Sequence, residues 1–323
     1  MIAKFLRIAA VAVAATLTLA TAQAQNYPNK PVKLVVPFGP GGVADITCRL
    51  IAQKLSASMG QQVIVDNKPG AGGIIAGQLV LAAEPDGYTT MLMSNGTAIS
   101  ASLFKALPYD TVKDFEPISL MGSFPVLILV GKDSPLHGIK DLIAAGKSQP
   151  EKLNIGAVNP GSTQELTAEL FKSTSGVNFT IVPFKTTPAL VTAVTGGEIQ
   201  VAFEIVAPVL GFVRDGALRP LAVSSETRFA GLPDVPTVKE GGLPNFNVVA
   251  WNALGVRAGT PKPIVDRLNK EIHAALADAG LKQKFQELGI EPRSSTPEEA
   301  KKLLVSEIAK WGKVIKDANI PQQ

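Results

Sequence analysis

Val32–Asp45 reads VKLVVPFGPGGVAD. A short apolar strand runs into a Gly/Pro turn. The turn opens an amphipathic segment from Val43 to Met59, with Ile46, Leu50, Ile51 and Leu55 on one face and Gly60 placed as its C-cap. Strand, glycine turn and helix start together form an anion site, because unpaired N–H groups and the positive end of the helix dipole point at whatever docks there. The turn holds no Lys or Arg, so backbone amides carry the interaction. A second meaning is open here. Gly39-Pro40-Gly41-Gly42-Val43-Ala44 reads as G-x-G-x-x-A, and the next strand, Val63–Val65, runs into Asp66. That is the spacing of a dinucleotide fingerprint, so an exported nicotinamide-dependent oxidoreductase and a receptor for a small anion both fit the stretch.

The N-terminus favours the receptor. Lys4 and Arg7 precede an apolar run from Ile8 to Ala20, followed by Ala22-Gln23-Ala24, the pattern of an export signal cleaved near Ala24. The run has 13 residues, short of the roughly 20 that span a bilayer. The mature chain is expected in the periplasm, a poor compartment for nicotinamide chemistry. Removing Lys4 and Arg7 lowers the formal net charge from +4 to +2, and only 6% of residues are aromatic; both argue against a nucleic-acid partner. Cys48, the sole cysteine, cannot form an internal disulfide and reads as a small buried residue.

Further along, strands and helices alternate, the signature of an α/β fold with mainly parallel sheet. Strands Gln62–Val65 and Tyr88–Met93 bracket a helix from Ile74 to Ala83, and Tyr88–Met93 ends in a polar turn, Ser94-Asn95-Gly96-Thr97. After a loop-rich stretch, Phe124–Val130 (FPVLILV) reads as the first crossing into a second lobe, and Val248–Val256 as the return. Between them lie a helix Ile139–Ala145 capped by Gly146, a strand Leu153–Ala157 and a helix Ser162–Thr174. Strands at Ile181–Val182, Val201–Phe203 and Leu221–Val223 follow. Two helices close the chain: Pro263–Ala279, and one opened by a capping box, Thr296-Pro297-Glu298-Glu299. The organisation is a signal at 1–24, one lobe from 25–123 and 251–323, and a second from 124–250. Two lobes joined by two crossings suit closure on a small ligand.

Asn159-Pro160-Gly161-Ser162-Thr163 repeats the strand-turn-helix pattern in the second lobe, with Ser162 and Glu165 spaced as a capping box. Two helix starts from opposite lobes can clasp one carboxylate. Asp45 complements the dipole of its helix. No metal-ligand spacing surrounds His137 or His273, no G-x-S-x-G occurs, and no catalytic constellation is present. The reading is a non-enzyme without cofactor or metal.

YPNKPVKLVVPFGPGGVAD, VDNKPGAGG, PDGYTTMLMSNGT, LPYDTVKDFEPISL, LPDVPTVKEGGLP and AGTPKPIVDRLNKEI, in that order behind an export signal, resemble the Bug family of periplasmic solute-binding receptors. The resemblance implies a two-lobe, type II Venus-flytrap α/β fold that binds small organic carboxylates. It also implies delivery to the membrane subunits of a tripartite tricarboxylate transporter, with a sensor kinase as the alternative partner and the receptor a monomer. The residues that match the family's clasp are Phe38, Gly39, Pro40, Gly41, Gly42, Val43, Ala44 and Asp45 on one lobe. On the other they are Asn159, Gly161, Ser162 and Thr163. Ser94, Asn95 and Thr97 match a third wall. Three departures fall on the second lobe: a shortened Pro183-Phe184-Lys185-Thr186-Thr187-Pro188 turn, Glu204 in place of an Asp after Phe203, and Asn159-Pro160 in place of a glycine-rich run. Phe184 and Glu204 are thereby expected at the distal end of the ligand. If Glu204 points into the cleft, it disfavours a distal carboxylate and favours an amine, a hydroxyl or a neutral ring.

Overall fold

A computed structural model describes residues 27–158 and 162–323; the stretch read above as an export signal lies outside them. Strands β1 (Val32–Val36), β2 (Val63–Asn67) and β3 (Thr89–Ser94) form a parallel group in the order β2-β1-β3. Each runs into a helix: α1 (Val43–Met59), α2 (Ile74–Leu81) and α3 (Asn95–Leu103). A second parallel group, β7-β5-β6, repeats the plan with β5 (Asn154–Val158), β6 (Thr180–Phe184) and β7 (Val201–Ile205). These strands lead into α5 (Thr163–Ser175), α6 (Thr187–Thr195) and α7 (Val206–Arg214), while α4 (Ile139–Ser148) precedes β5.

Strand β4 (Phe115–Gly131) joins the groups. Up to Pro125 it pairs antiparallel with β9 (Val249–Arg257); from Val126 it pairs with β7 and with β8 (Leu218–Val223). Ser224, fully buried, ties the changeover. Its N–H donates to Val126 O (2.9 Å), its hydroxyl accepts from Val126 N–H (2.8 Å) and donates to Val248 O (2.6 Å). The chain returns into β9 directly beyond that knot. β4 is buried on both faces, which is why it reads as an unbroken apolar run instead of an alternation. Leu127 and Leu129 enter one core, Val126, Ile128 and Val130 the other. The crossing strand begins at Phe115, nine residues before the apolar run that announced it.

Helices α8 (Lys262–Ala277), α9 (Ala279–Glu287) and α10 (Pro297–Asp317) follow, with a short strand β10 (Glu291–Pro292) on β4. Three helices close the chain where two were expected: Asp278 ends α8 in an extended conformation and caps α9, accepting from Leu281 N–H (2.8 Å). The Thr296 capping box is formed, and Leu304, Trp311 and Ile315 of α10 are buried. Helices α6 and α7 were also unforeseen; α7 follows β7 with no loop and no side-chain cap to mark its start. Gly146 does not cap α4. It lies inside the helix, where an added Cβ would stand 2.0 Å from Val177 Cγ1, so a close approach requires it. No helix among the described residues is long and apolar enough to cross a membrane.

Candidate functional site

In a parallel α/β group every strand ends, and every following helix begins, at the same edge. Here two such edges face one another across β4 and β9, with a cleft of about 690 Å³ between them. Its wall takes residues from the first turns of six helices: Val43 of α1, Gly73 before α2, Thr97 of α3, Thr163 of α5, Thr187 of α6 and Ala207 of α7. Among the described residues the wall holds no Lys, Arg or His. Helix starts on the wall can offer an anion only peptide N–H groups and helix dipoles.

The helix starts are not equivalent. Ser162 caps α5: its hydroxyl accepts from Glu165 N–H (3.2 Å) and donates to Val158 O. Ser94 caps α3 in a capping box, accepting from Gly96 N–H (3.2 Å) while its own N–H donates to Thr97 Oγ1 (3.1 Å). Gly42, at the N-cap of α1, has no side chain to offer, so no cap competes for the N–H groups of the first turn.

Asp45 builds the turn ahead of α1. Buried to 2% exposure, it accepts from Gly41 N–H, Asn67 Nδ2 and Arg49 Nε, each at 2.9 Å. Asn67 Nδ2 also donates to Phe38 O (3.0 Å). Burial pushes the Asp45 carboxyl up, but the hydrogen bonds from Arg49, Gly41 and Asn67 outweigh it and hold the group below the ordinary carboxylate range. Gly41 adopts φ 85°, a left-handed conformation that favours glycine. Its N–H is committed to Asp45, while the α1 N–H groups from Gly42 onward meet no side-chain cap.

Of the residues singled out in the sequence, Phe38, Gly41, Gly42, Val43 and Ala44 stand on the wall. So do Ser94, Asn95, Thr97, Ser162, Thr163 and Glu204. Gly39, Pro40 and Asp45 do not; Asp45 acts from behind the turn. Phe184 also stands elsewhere, its ring packed over Gly156. Asn159 and Gly161 lie outside the described residues. Ser94, Asn95 and Thr97 belong to a helix start, not a free turn, and the Asn95 amide is spent internally. Its Oδ1 accepts from Trp251 N–H (2.8 Å) and its Nδ2 donates to Glu307 (3.2 Å), tying α3 to the return strand and α10.

Glu204, at the end of β7, is 0% exposed. Oε1 accepts from Gln164 Nε2 (2.7 Å) and Ile205 N–H (2.8 Å), and Oε2 from Thr187 Oγ1 (2.9 Å). Burial raises its carboxyl above the ordinary range against the opposing pull of those three donors. Gln164 and Thr187 went unread as wall residues. A signal existed for Thr187, since Thr186-Thr187-Pro188 is a capped helix start with an early proline. No sequence signal marks Trp251, Leu288 or Ile290, which reach the wall through tertiary packing. The indole N–H of Trp251 has no hydrogen-bond partner among the described residues. Asp66 is not on the wall; its carboxylate pairs with Lys68 (3.0 Å) and Lys33 (3.8 Å).

Two α/β groups facing each other across crossing strands, with an open cleft at their apposed edges, define the fold of a solute-binding receptor. The chain belongs to the family described as "Tripartite tricarboxylate transporter family receptor", whose model matches residues 47–320. It is similar to Protein BugT of Bordetella pertussis, 32% identical over 316 residues, which are 97% of each chain. Its fold matches that of Rpa4515 from R. palustris, solved with adipate, at a TM-score of 0.81 with 34% identity over 92% of this chain and 99% of that one. MatC (Rpa3494) from Rhodopseudomonas palustris, solved with bound malate, gives 0.76 with 32% identity over 90% and 100%.

Proposed function

We propose that this chain is a periplasmic receptor that captures a small organic carboxylate between two lobes and presents it to membrane subunits of a tripartite transporter. The observation that carries the reading is the cavity wall: helix starts converge on it, no cationic side chain lines it among the described residues, and the α1 start carries no side-chain cap. N–H groups from Gly42 onward hold one side of the carboxylate, and the Asn159–Thr163 turn holds the other. Each hydrogen bond to the charge contributes about 1.5–3 kcal/mol in such a cleft. The lobes comprise 25–123 with 251–323, and 124–250, a division supported by the change of β4 partners at Pro125/Val126. The receptor works as a monomer, and the basic-apolar-small pattern before Gln25 supports export. Adipate and malate in the two solved relatives support a carboxylate ligand.

A thermal-shift screen tests the reading. A small set of carboxylates should raise the melting temperature, and their primary amides and methyl esters should not. Equal stabilisation by the neutral analogues would remove the amide clasp.

A further inference from the structure

Glu204 is the one ionisable side chain on the described wall of a cavity otherwise built from helix starts, small polar residues and apolar groups. Buried carboxylates are ordinarily accompanied by a cation. Among the described residues this one is held by neutral donors only: an amide, a hydroxyl and the N–H at the start of α7. Each carboxylate oxygen has two acceptor positions. Oε1 has both filled, whereas Oε2 receives Thr187 Oγ1 alone among the described residues, and Thr187 is itself a wall residue. With these three donors in place, one acceptor position on Oε2 has no partner among the described residues, and Glu204 stands on the cavity wall.

Building on the carboxylate reading above, we infer that Glu204 selects the far end of the ligand. It accepts a hydrogen bond from a donor group, an ammonium above all, carried by a monocarboxylate, and it excludes a second carboxylate. A ligand ammonium supplies the counter-charge that the wall lacks. A second carboxylate would set two like charges together in a cleft with no cationic side chain among the described residues to separate them. Phe124, Trp251 and Ile290 give the wall apolar surface that suits a methylene spacer. The preference separates this chain from the relatives solved with adipate and malate, both dicarboxylates.

The experiment is calorimetric titration of the full mature chain with three series of equal backbone length. These are 4-aminobutyrate to 6-aminohexanoate, succinate to adipate, and butyrate to hexanoate. The ω-amino acids should bind at least about ten-fold tighter than dicarboxylates of the same length, with the plain acids between them. Glu204→Gln, which keeps the shape and removes the charge, should cut the amino-to-dicarboxylate ratio by about ten-fold or more. Dicarboxylates binding as well as ω-amino acids to the wild-type chain would overturn the inference and leave the carboxylate reading standing. A ratio unchanged in a folded Glu204→Gln protein would do the same. If no member of any series binds, the carboxylate reading itself falls and the inference with it. Should the variant fail to fold, the wild-type ranking alone decides.

Discussion

Two helix starts, Gly42–Val43 and Ser162–Thr163, carry the same strand-turn-helix signature and reach the same cavity, yet they treat their first-turn amides differently. At α5 the serine hydroxyl takes the Glu165 N–H and closes back on Val158. At α1 the cap position is a glycine, and the acid that could have served the helix, Asp45, is turned backward to hold Gly41 and Asn67. One start is finished by its own side chain; the other carries no side-chain cap. On the proposed reading, stability and binding are separated between two motifs that look alike.

The strongest way to break this comparison is to finish the open start. Gly42 has ordinary extended dihedrals (φ −79°, ψ 168°) and free space where a Cβ would stand. Gly42→Asp therefore introduces a capping carboxylate without strain. Ligand-free stability should hold or rise by a few tenths of a kcal/mol, while carboxylate affinity falls by about 100-fold or more as two charged hydrogen bonds are lost. Calorimetric titration beside a melting curve checks both, and undiminished binding would show that the α1 start is not a jaw of the clasp.

A smaller effect is expected behind the turn. Asp45→Asn weakens the acceptor that holds Gly41 N–H and Arg49, so affinity should fall by about ten-fold through a loosened turn. The folded Asp45 carboxyl lies below its ordinary range, so its stabilisation is present above that range and is lost as pH falls through it. The variant should melt below the wild type at pH 7, with the gap closing on acidification; a gap independent of pH would exclude the carboxylate as its source.

The smallest effect is predicted at the closed start. Ser162→Ala removes a cap and should cost about 1 kcal/mol of stability, with affinity changed by no more than about three-fold. A large loss of affinity without loss of stability would mean that the Ser162 hydroxyl is itself a ligand contact and that the two starts are alike.

Much of this was legible because the signals are local. Val32–Val36, the glycine turn, α1 and the Gly60 cap follow from consecutive residues, as do the Thr296 capping box and the apolar run inside β4. What failed to read was also local in cause. Ser94 and Thr97 looked like a loop because the capping pattern there ends in Thr instead of Glu. The start of α7 has neither loop nor side-chain cap to mark it. The departures in the second lobe pointed to Glu204, but its partners, Gln164 and Thr187, come from different helices 40 and 17 residues away.

The alternating α/β plan, the crossing strands and the strand-turn-helix at Val32–Met59 were readable from contiguous residues, through their periodicity and spacing, and the family through the resemblance of its motifs. Tertiary structure alone decided which helix starts face one another, that Asp45 serves the turn and not the ligand, and that Asn95 is consumed by Trp251 and Glu307. It alone placed Glu204 on the cavity wall with no cationic side chain beside it among the described residues. Those outcomes depend on hydrogen-bond partners drawn from distant segments, and no local pattern specifies which donors a buried acceptor will meet.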